Sequence, residues 1–521
     1  VNVDQLGIVL LAGAAVLLVA VVAVRWTTSS GLPSLLLYLG LGLLIGEKGI
    51  GLRFDDAELT GVLGYCALIL ILAEGGLTTR WDQIRPSAAA AGVLATVGIC
   101  VSVGVVAVAA RLLLGLDWPL ALLVGAVVSS TDAAAVFSVL RQVPLPGRLS
   151  GLLEAESGFN DAPVVIAVVA LTEFAGSGSA HPWWALVGEA VLELVTGAGV
   201  GLALGRVGAW VLARLALPAS GLYPLAVLGL AFAAFGAATC LQGSGFLATY
   251  LCTLVLGNVR LPHGAAVRSF AEGLGWLAQI GLFVLLGLLA NPARLPALVL
   301  PAVAIGLVLL LAARPLSVLV SLVPFRFPLR EQAFLSWAGL RGAVPIVLTT
   351  IPMAAHVPGS TRLFDLVFVL VAVFTLLQGP TLPFVARRLG IGVDLPTTTL
   401  DVESSPLGAL AADVIYVRVG PGSRLHGVEI FELRLPDRAN ITLVIRNGRA
   451  FVPQQRTMLR HGDDLIVVTA AAVRDQAERR LHEVSAGGKL ADWRTPSRYP
   501  RKSPRQPGES PRQPGESPQG V

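Results

Sequence analysis

Apolar windows of bilayer length recur thirteen times between residues 6 and 386, the first at 6–24 and the last at 363–386. A hydrocarbon core takes about 20 helical residues to cross, and every backbone group inside it must be satisfied within the protein. The chain therefore reads as an all-α polytopic membrane protein. Composition agrees: 55% of its residues are hydrophobic and 14% charged, against about 25% charged in soluble domains. No basic residue precedes the first window and no small-residue cleavage site follows it, so it is expected as a retained helix. Cys66, Cys100, Cys240 and Cys252 all fall inside windows without a CxxC pair and are expected as small buried residues.

Charge orients the count. With thirteen helices and a cytoplasmic C-terminus, Arg25, Arg80, Arg85, Arg141, Arg148, Arg206, Arg214, Arg260, Arg268, Arg326, Arg330, Arg387 and Arg388 fall inside. Lys48, Arg53, Arg111, Arg294 and Arg362 fall outside. That bias obeys the positive-inside rule and places the N-terminus outside. The net charge of +5 reflects these helix ends and the C-terminal tail, and nucleic acid is not implied.

Composition then divides the chain. Residues 1–390 form the transmembrane domain, and 391–412, polar and Pro-containing, read as a linker. Residues 413–484 read as a small cytoplasmic α/β domain with short strands, a hairpin turn at Asn447-Gly448 and a charged helix near 471–484. Residues 485–521, with a tandem SPRQPGE heptad, have too little apolar content to fold and are expected to be disordered.

Against this background the stretch ESGFND at 156–161 is anomalous, because a charge at the bilayer centre costs about 3 kcal/mol on insertion scales. Asp161 stands about 18 Å into the sixth window, near the midplane. Ser157, Asn160 and Asp161 share a helix face, with Glu156 on an adjoining one. The fifth window buries Thr131 and Asp132 after Ser129 and Ser130, a run that can replace backbone bonds where a helix unwinds. The third carries Glu74 one turn from its end. In the twelfth, Arg341 is bracketed by Gly339, Gly342 and Pro345, which interrupt helices. An arginine does not release its proton at any useful pH, so Arg341 is expected as the structural partner of Glu156. Asp132 and Asp161 then need a removable cation, metal ion or proton.

The interrupted fifth and twelfth helices are seven apart and run in opposite directions, so helices 1–6 and 8–13 are expected to be inverted repeats joined by the seventh. Paired broken helices crossing at the midplane point to a secondary transporter's site. Spacing gives a cation or proton site without its identity.

Taken together, STDAAAVF, ESGFND and GLRGAVPIVL resemble the bacterial cation:proton antiporters of the NhaP type over residues 1–390. PGSRLHGVEIFELRLP, VIRNG and LRHGDDLIVV resemble a TrkA-C (RCK-C) domain, the arrangement of that family's potassium/proton branch. The resemblance implies that Asp161 carries the metal cation and protons in turn. It implies Ser157, Glu74, Asp132 and the Thr131 backbone as further ligands of K⁺ or Na⁺, Asn160 as the neutral member of an electroneutral pair, and Glu156–Arg341 as a structural ion pair. It also implies a homodimer in the plasma membrane. No cofactor is expected; no GxGxxG follows a strand in residues 413–484, which leaves a cytoplasmic regulator such as a cyclic dinucleotide there, or a passive dimerising role.

Two rivals are weaker. A potassium channel or uptake subunit gated by an RCK-like domain lacks a filter resembling TVGYG. QGSGF at 242–246 resembles the surroundings of an intramembrane serine protease, but His263 stands at a helix end, too far out to serve as base. No P-loop supports ATP-driven transport.

Overall fold

The computed structural model describes residues 3–30, 34–46, 56–140, 145–177, 183–215, 217–259, 261–391, 402–407, 412–420, 422–446 and 449–488. The chain divides into two compact units, Val1–Asp394 and Leu395–Val521.

In the first unit each apolar window is a helix. These are α1 (Val3–Ser30), α2 (Ser34–Ile45), α3 (Ala57–Thr78), α4 (Ala88–Leu114), α5a (Trp118–Ser129) with α5b (Ala133–Leu140), α6 (Gly147–Ser177) and α7 (Trp183–Arg214). They continue as α8 (Leu222–Cys240), α9 (Gly245–Asn258), α10 (Gly264–Leu289), α11 (Leu295–Phe325), α12a (Leu329–Trp337) with α12b (Ala343–Ala354), and α13 (Ser360–Arg388). Among the described residues eight helices are long and apolar enough to cross a membrane, and five more apolar stretches are shorter. Length and composition alone thus carry eight spans, and the thirteen-span count stays an expectation. Lys48, Arg53, Arg141 and Arg260, used in the charge count, lie outside the described residues. Of the four cysteines only Cys252 is buried within the chain; Cys66, Cys100 and Cys240 lie at its surface on apolar helices.

Both interruptions expected from sequence are present. α5 loses its helical bonds at 130–132 and α12 at 338–342. The Asp132 N–H donates to the Leu340 carbonyl at 2.8 Å, so the two breaks meet. A second correspondence lies one helix earlier. α4 and α11, also seven apart, each contain one π turn, at Leu94–Gly98 and Leu309–Ala313, and each turn packs on the other helix. A π turn inserts one extra residue into the helix, so both halves of the chain carry the same pair of irregularities. That is the pattern internal repeats produce.

The second unit is a five-stranded antiparallel sheet in the order β1-β2-β5-β3-β4: β1 (Val402–Leu407), β2 (Ala412–Arg418), β3 (Ala439–Arg446), β4 (Arg449–Phe451) and β5 (Asp464–Ala470). Ile415, Val417, Ile441, Val444, Leu465 and Val467 alternate onto one face, where Ala477, Leu481 and Val484 of α14 (Arg474–Gly487) complete the core. Arg446 pairs with Arg449 across the expected two-residue hairpin, whose Asn447 and Gly448 lie outside the described residues, as do residues 489–521 of the expected disordered tail. One boundary is corrected. β1 lies inside the stretch 391–412 read as linker, pairing from Val402↔Val417 to Leu407↔Ala412. It is an edge strand, and an edge tolerates the Pro and polar residues that made it look like a linker.

Candidate cation site at the helix crossing

The site is assembled by three helices converging on the crossing. α6 stays helical through ESGFND, and its cavity-facing stripe runs Glu154, Ser157, Gly158, Asp161. At Gly158 the ring of Tyr250 from α9 lies directly on the α6 backbone, where a Cβ would overlap it. A cavity of about 280 Å³ opens beside this stripe. Its wall includes Asp161, Ser157, Thr131, Asp132 and Glu74, with an apolar side formed by Leu68, Leu72 and Phe283. The water share of liquid volume is about 30 Å³, so the cavity has room for an alkali ion with several waters.

Asp161 is 8% exposed and accepts a hydrogen bond from the Ser130 hydroxyl at 2.9 Å. Asp132 stands at the start of α5b, where its Oδ1 accepts from the Ala135 N–H at 3.1 Å. The N-terminus of α12b arrives at the same point: a Cβ on Gly342 would land on Asp132 Oδ2. The carboxylate thus faces the positive ends of two half-helices, and it stabilises both. The opposite ends receive a cation. Arg341 donates from Nε to Val128 O at 3.1 Å, in the last turn of α5a, and from Nη1 to Gly339 O just beyond α12a. Among the described residues no three His, Cys, Asp or Glu side chains gather as a metal cluster. A cation here would take a mixed set of hydroxyl, carbonyl, carboxylate and water oxygens, a set that suits hard cations.

Two expectations are corrected. Glu156 is paired with Arg314, not Arg341. Arg314 Nη1 and Nη2 reach Glu156 Oε1 and Oε2 at 2.5 and 2.8 Å, both residues being nearly fully buried. Arg314 follows the α11 π turn directly, inside a window that reads as continuous lipid-spanning helix. Asn160, expected on the proton- and ion-binding face with Ser157 and Asp161, is absent from the cavity wall. Its Nδ2 donates to Thr131 Oγ1 at 2.7 Å, and Thr131 Oγ1 donates in turn to Glu156 Oε1 at 3.2 Å. At about 100° per residue, Asn160 lies about 60° from Ser157 on the Glu156 side, while Asp161 lies about 40° on the other. Sequence reasoning also missed Ser130, Glu154, Tyr250 and Gln279, which bond to Asp161 or line the cavity. Glu154 was detectable, being seven residues before Asp161 on the same face.

The protease-like QGSGF has a structural explanation. The Ser244 hydroxyl caps α9 by accepting from Leu247 N at 3.4 Å, and His263 packs at a tilt against the Tyr223 ring at the start of α10.

Comparison with known proteins identifies the family of the chain. The family model "Sodium/hydrogen exchanger, transmembrane" matches residues 13–388, and the TrkA-C domain model matches 414–482. The K(+)/H(+) antiporter NhaP of Alkalimonas amylolytica is 36% identical over 462 residues, 87% of this chain and 80% of that protein. The K(+)/H(+) antiporter NhaP2 of Shewanella sp. (strain MR-4) is 36% identical over 473 residues, 89% and 82%. The Na(+)/H(+) antiporter NhaS2 of Synechocystis sp. is 29% identical over 409 residues, 76% and 72%. The solved sodium proton antiporter MjNhaP1 of Methanocaldococcus jannaschii shares the fold, with a TM-score of 0.64 at 22% identity over 74% of this chain and 99% of that one. On these matches the chain belongs to the sodium/hydrogen exchanger family of membrane antiporters and carries a C-terminal TrkA-C domain.

Proposed function

We propose that the chain exchanges K⁺, in preference to Na⁺, for H⁺ across the plasma membrane, with ion and proton competing at Asp161. The family is one of cation/proton antiporters, so the chain is a transporter and not an enzyme, and the channel alternative falls with that assignment. The potassium preference rests on the names of the Alkalimonas and Shewanella relatives, which align over nearly nine-tenths of this chain.

One observation carries the site reading. Asp161, Ser157, Thr131, Asp132 and Glu74, from three separate helices, stand on the wall of one cavity. Glu156 is already neutralised by Arg314, which leaves the cavity acids for the transported ion. Deprotonated Asp161 takes the cation with the hydroxyl of Ser157 and main-chain oxygen of Thr131, Asp132 and Glu74 acting directly or through water. A proton arriving at Asp161 releases it. Exchange is obligatory because a bare buried carboxylate would cost several kcal/mol to carry across. The amide at Asn160 leaves one titrating acid at the pair, which favours electroneutral exchange.

The assembly is read as a homodimer on the family resemblance, and its N-terminus as outside on the arginine bias described above. The domain at 413–484 is read as regulatory, with a small cytoplasmic nucleotide as its class of ligand. The test is proton movement in everted vesicles on adding K⁺, Na⁺ or Li⁺ separately. Exchange is expected with the native chain and abolished by Asp161→Asn; exchange retained in that variant would sink the site assignment.

A further inference from the structure

A helix break strips main-chain oxygens of their intrahelical donors, and each oxygen must find another donor, a water or a cation. The two breaks at this crossing solve the problem differently. In α12, Arg314 Nε donates to Leu335 O at 3.4 Å, Arg341 donates to Gly339 O, and the Asp132 N–H takes Leu340 O. Two further oxygens are taken by α13, a helix that contributes nothing to the cavity wall. Gln378 Nε2 donates to Trp337 O at 3.0 Å and Thr375 Oγ1 to Arg341 O at 3.2 Å.

Gln378 and Thr375 are each 1% exposed and stand three residues apart, on one face of α13. The stripe continues to Thr381, whose hydroxyl accepts the Trp337 indole N–H at 3.1 Å. A polar row so deep in an apolar helix is expensive unless every member is used, and these are spent on the α12 break. In α5, Val128 O is taken by Arg341 at 3.1 Å, but among the described residues Thr131 O has only a 3.5 Å contact from the Asn160 amide. Thr131 is also the residue of the α5 break that reaches the cavity together with Asp132.

We propose that Thr375 and Gln378 are specificity-determining positioning residues: by occupying the main-chain oxygens of Arg341 and Trp337 they close the α12 break to cations, so that the main-chain ligand comes from the α5 break. The inference rests on the cation site read above. An apolar side chain at either position frees a carbonyl oxygen beside the crossing. The freed oxygen recruits water or the cation itself and alters the number and spacing of ligands, which is what discriminates ions of different radius.

The test uses the purified full chain in proteoliposomes, with K⁺ and Na⁺ as chlorides, and reads apparent KM and Vmax for each. Thr375→Val and Gln378→Met should change the ratio of the two KM values by about threefold or more, the scale of one hydrogen bond, with Vmax held within about twofold. Thr375→Ser, which keeps the donor, should restore the native ratio. A native ratio in Thr375→Val and Gln378→Met overturns the proposal, whether Vmax and folded yield fall, as for a purely structural role, or stay native. If the apolar variants do not fold, Gln378→Asn decides: it retracts the donor by one methylene and should shift the ratio, and a native ratio overturns the proposal. Asp161→Asn separates the two readings. Exchange surviving there removes the site itself, whereas exchange lost there with native KM ratios in the α13 variants sinks the α13 assignment alone.

Discussion

Arg314 holds both carboxylate oxygens of Glu156, at 2.5 and 2.8 Å, where neither side chain reaches solvent. A buried pair of this kind contributes little beyond a packed apolar pair, but removing one partner leaves an uncompensated charge.

Arg314→Met is therefore expected to destabilise the membrane unit by about 3–5 kcal/mol and to reduce folded protein, read by thermal unfolding in detergent. The double variant Arg314→Met with Glu156→Met should recover most of that loss. Arg341→Ala should be milder in the same assay, since it exposes main-chain oxygens of Val128 and Gly339 and strands no carboxylate. Equal losses for the two single arginine variants would contradict the pairing.

Gly342→Ala places a methyl group on Asp132 Oδ2 at the point where α5b and α12b meet. Overpacking of this kind costs about 1–3 kcal/mol, and here it also displaces a cavity acid. The expected outcome is a folded chain with exchange reduced at least about tenfold, the rate equivalent of about 1.4 kcal/mol. Native flux would show that the crossing is looser than its geometry.

How much of this was legible in the sequence follows from where each signal lies. The breaks in α5 and α12 were readable because Ser-Ser-Thr-Asp and Gly-Leu-Arg-Gly leave chemical marks on otherwise apolar windows. The acids of the cavity were readable because a carboxylate in hydrocarbon has few explanations. Arg314 was not, since it sits within LLLAARPLS, one charge inside a long apolar run that reads as a continuous spanning helix. A π turn directly precedes it, and backbone irregularities of one residue have no composition. Asn160 was misplaced by treating i, i+3 and i+4 as one direction, when 60° to one side and 40° to the other separate a structural amide from the ion's carboxylate. β1 was missed because an edge strand obeys looser rules than an interior one. Thr375 and Gln378 carry no mark in the sequence, because their use depends on oxygens of another helix.

In the TrkA-C unit, Asp463 is fully buried and accepts from Arg446 at 2.7 and 2.8 Å and from the Arg460 N–H at 2.8 Å. The carboxylate ties β3 to the turn before β5. Asp463→Ala is expected to cost this unit about 2–3 kcal/mol, the scale of charge-assisted bonds lost together. Limited proteolysis of the full chain should then cut within residues 413–488 faster, while residues 57–388 keep their native resistance. Unchanged cleavage would show that the turn is held by its apolar neighbours.

The most direct test of competition at Asp161 is the apparent KM for K⁺ measured against pH, in proteoliposomes with pH equal on both sides and isotopic K⁺ exchange as readout. If one site holds either ion or proton, KM rises by up to about tenfold for each unit of acidification, and saturating K⁺ restores the full rate. A KM that stays constant while Vmax alone falls would contradict the account, because the proton would then act somewhere other than on the cation's own carboxylate.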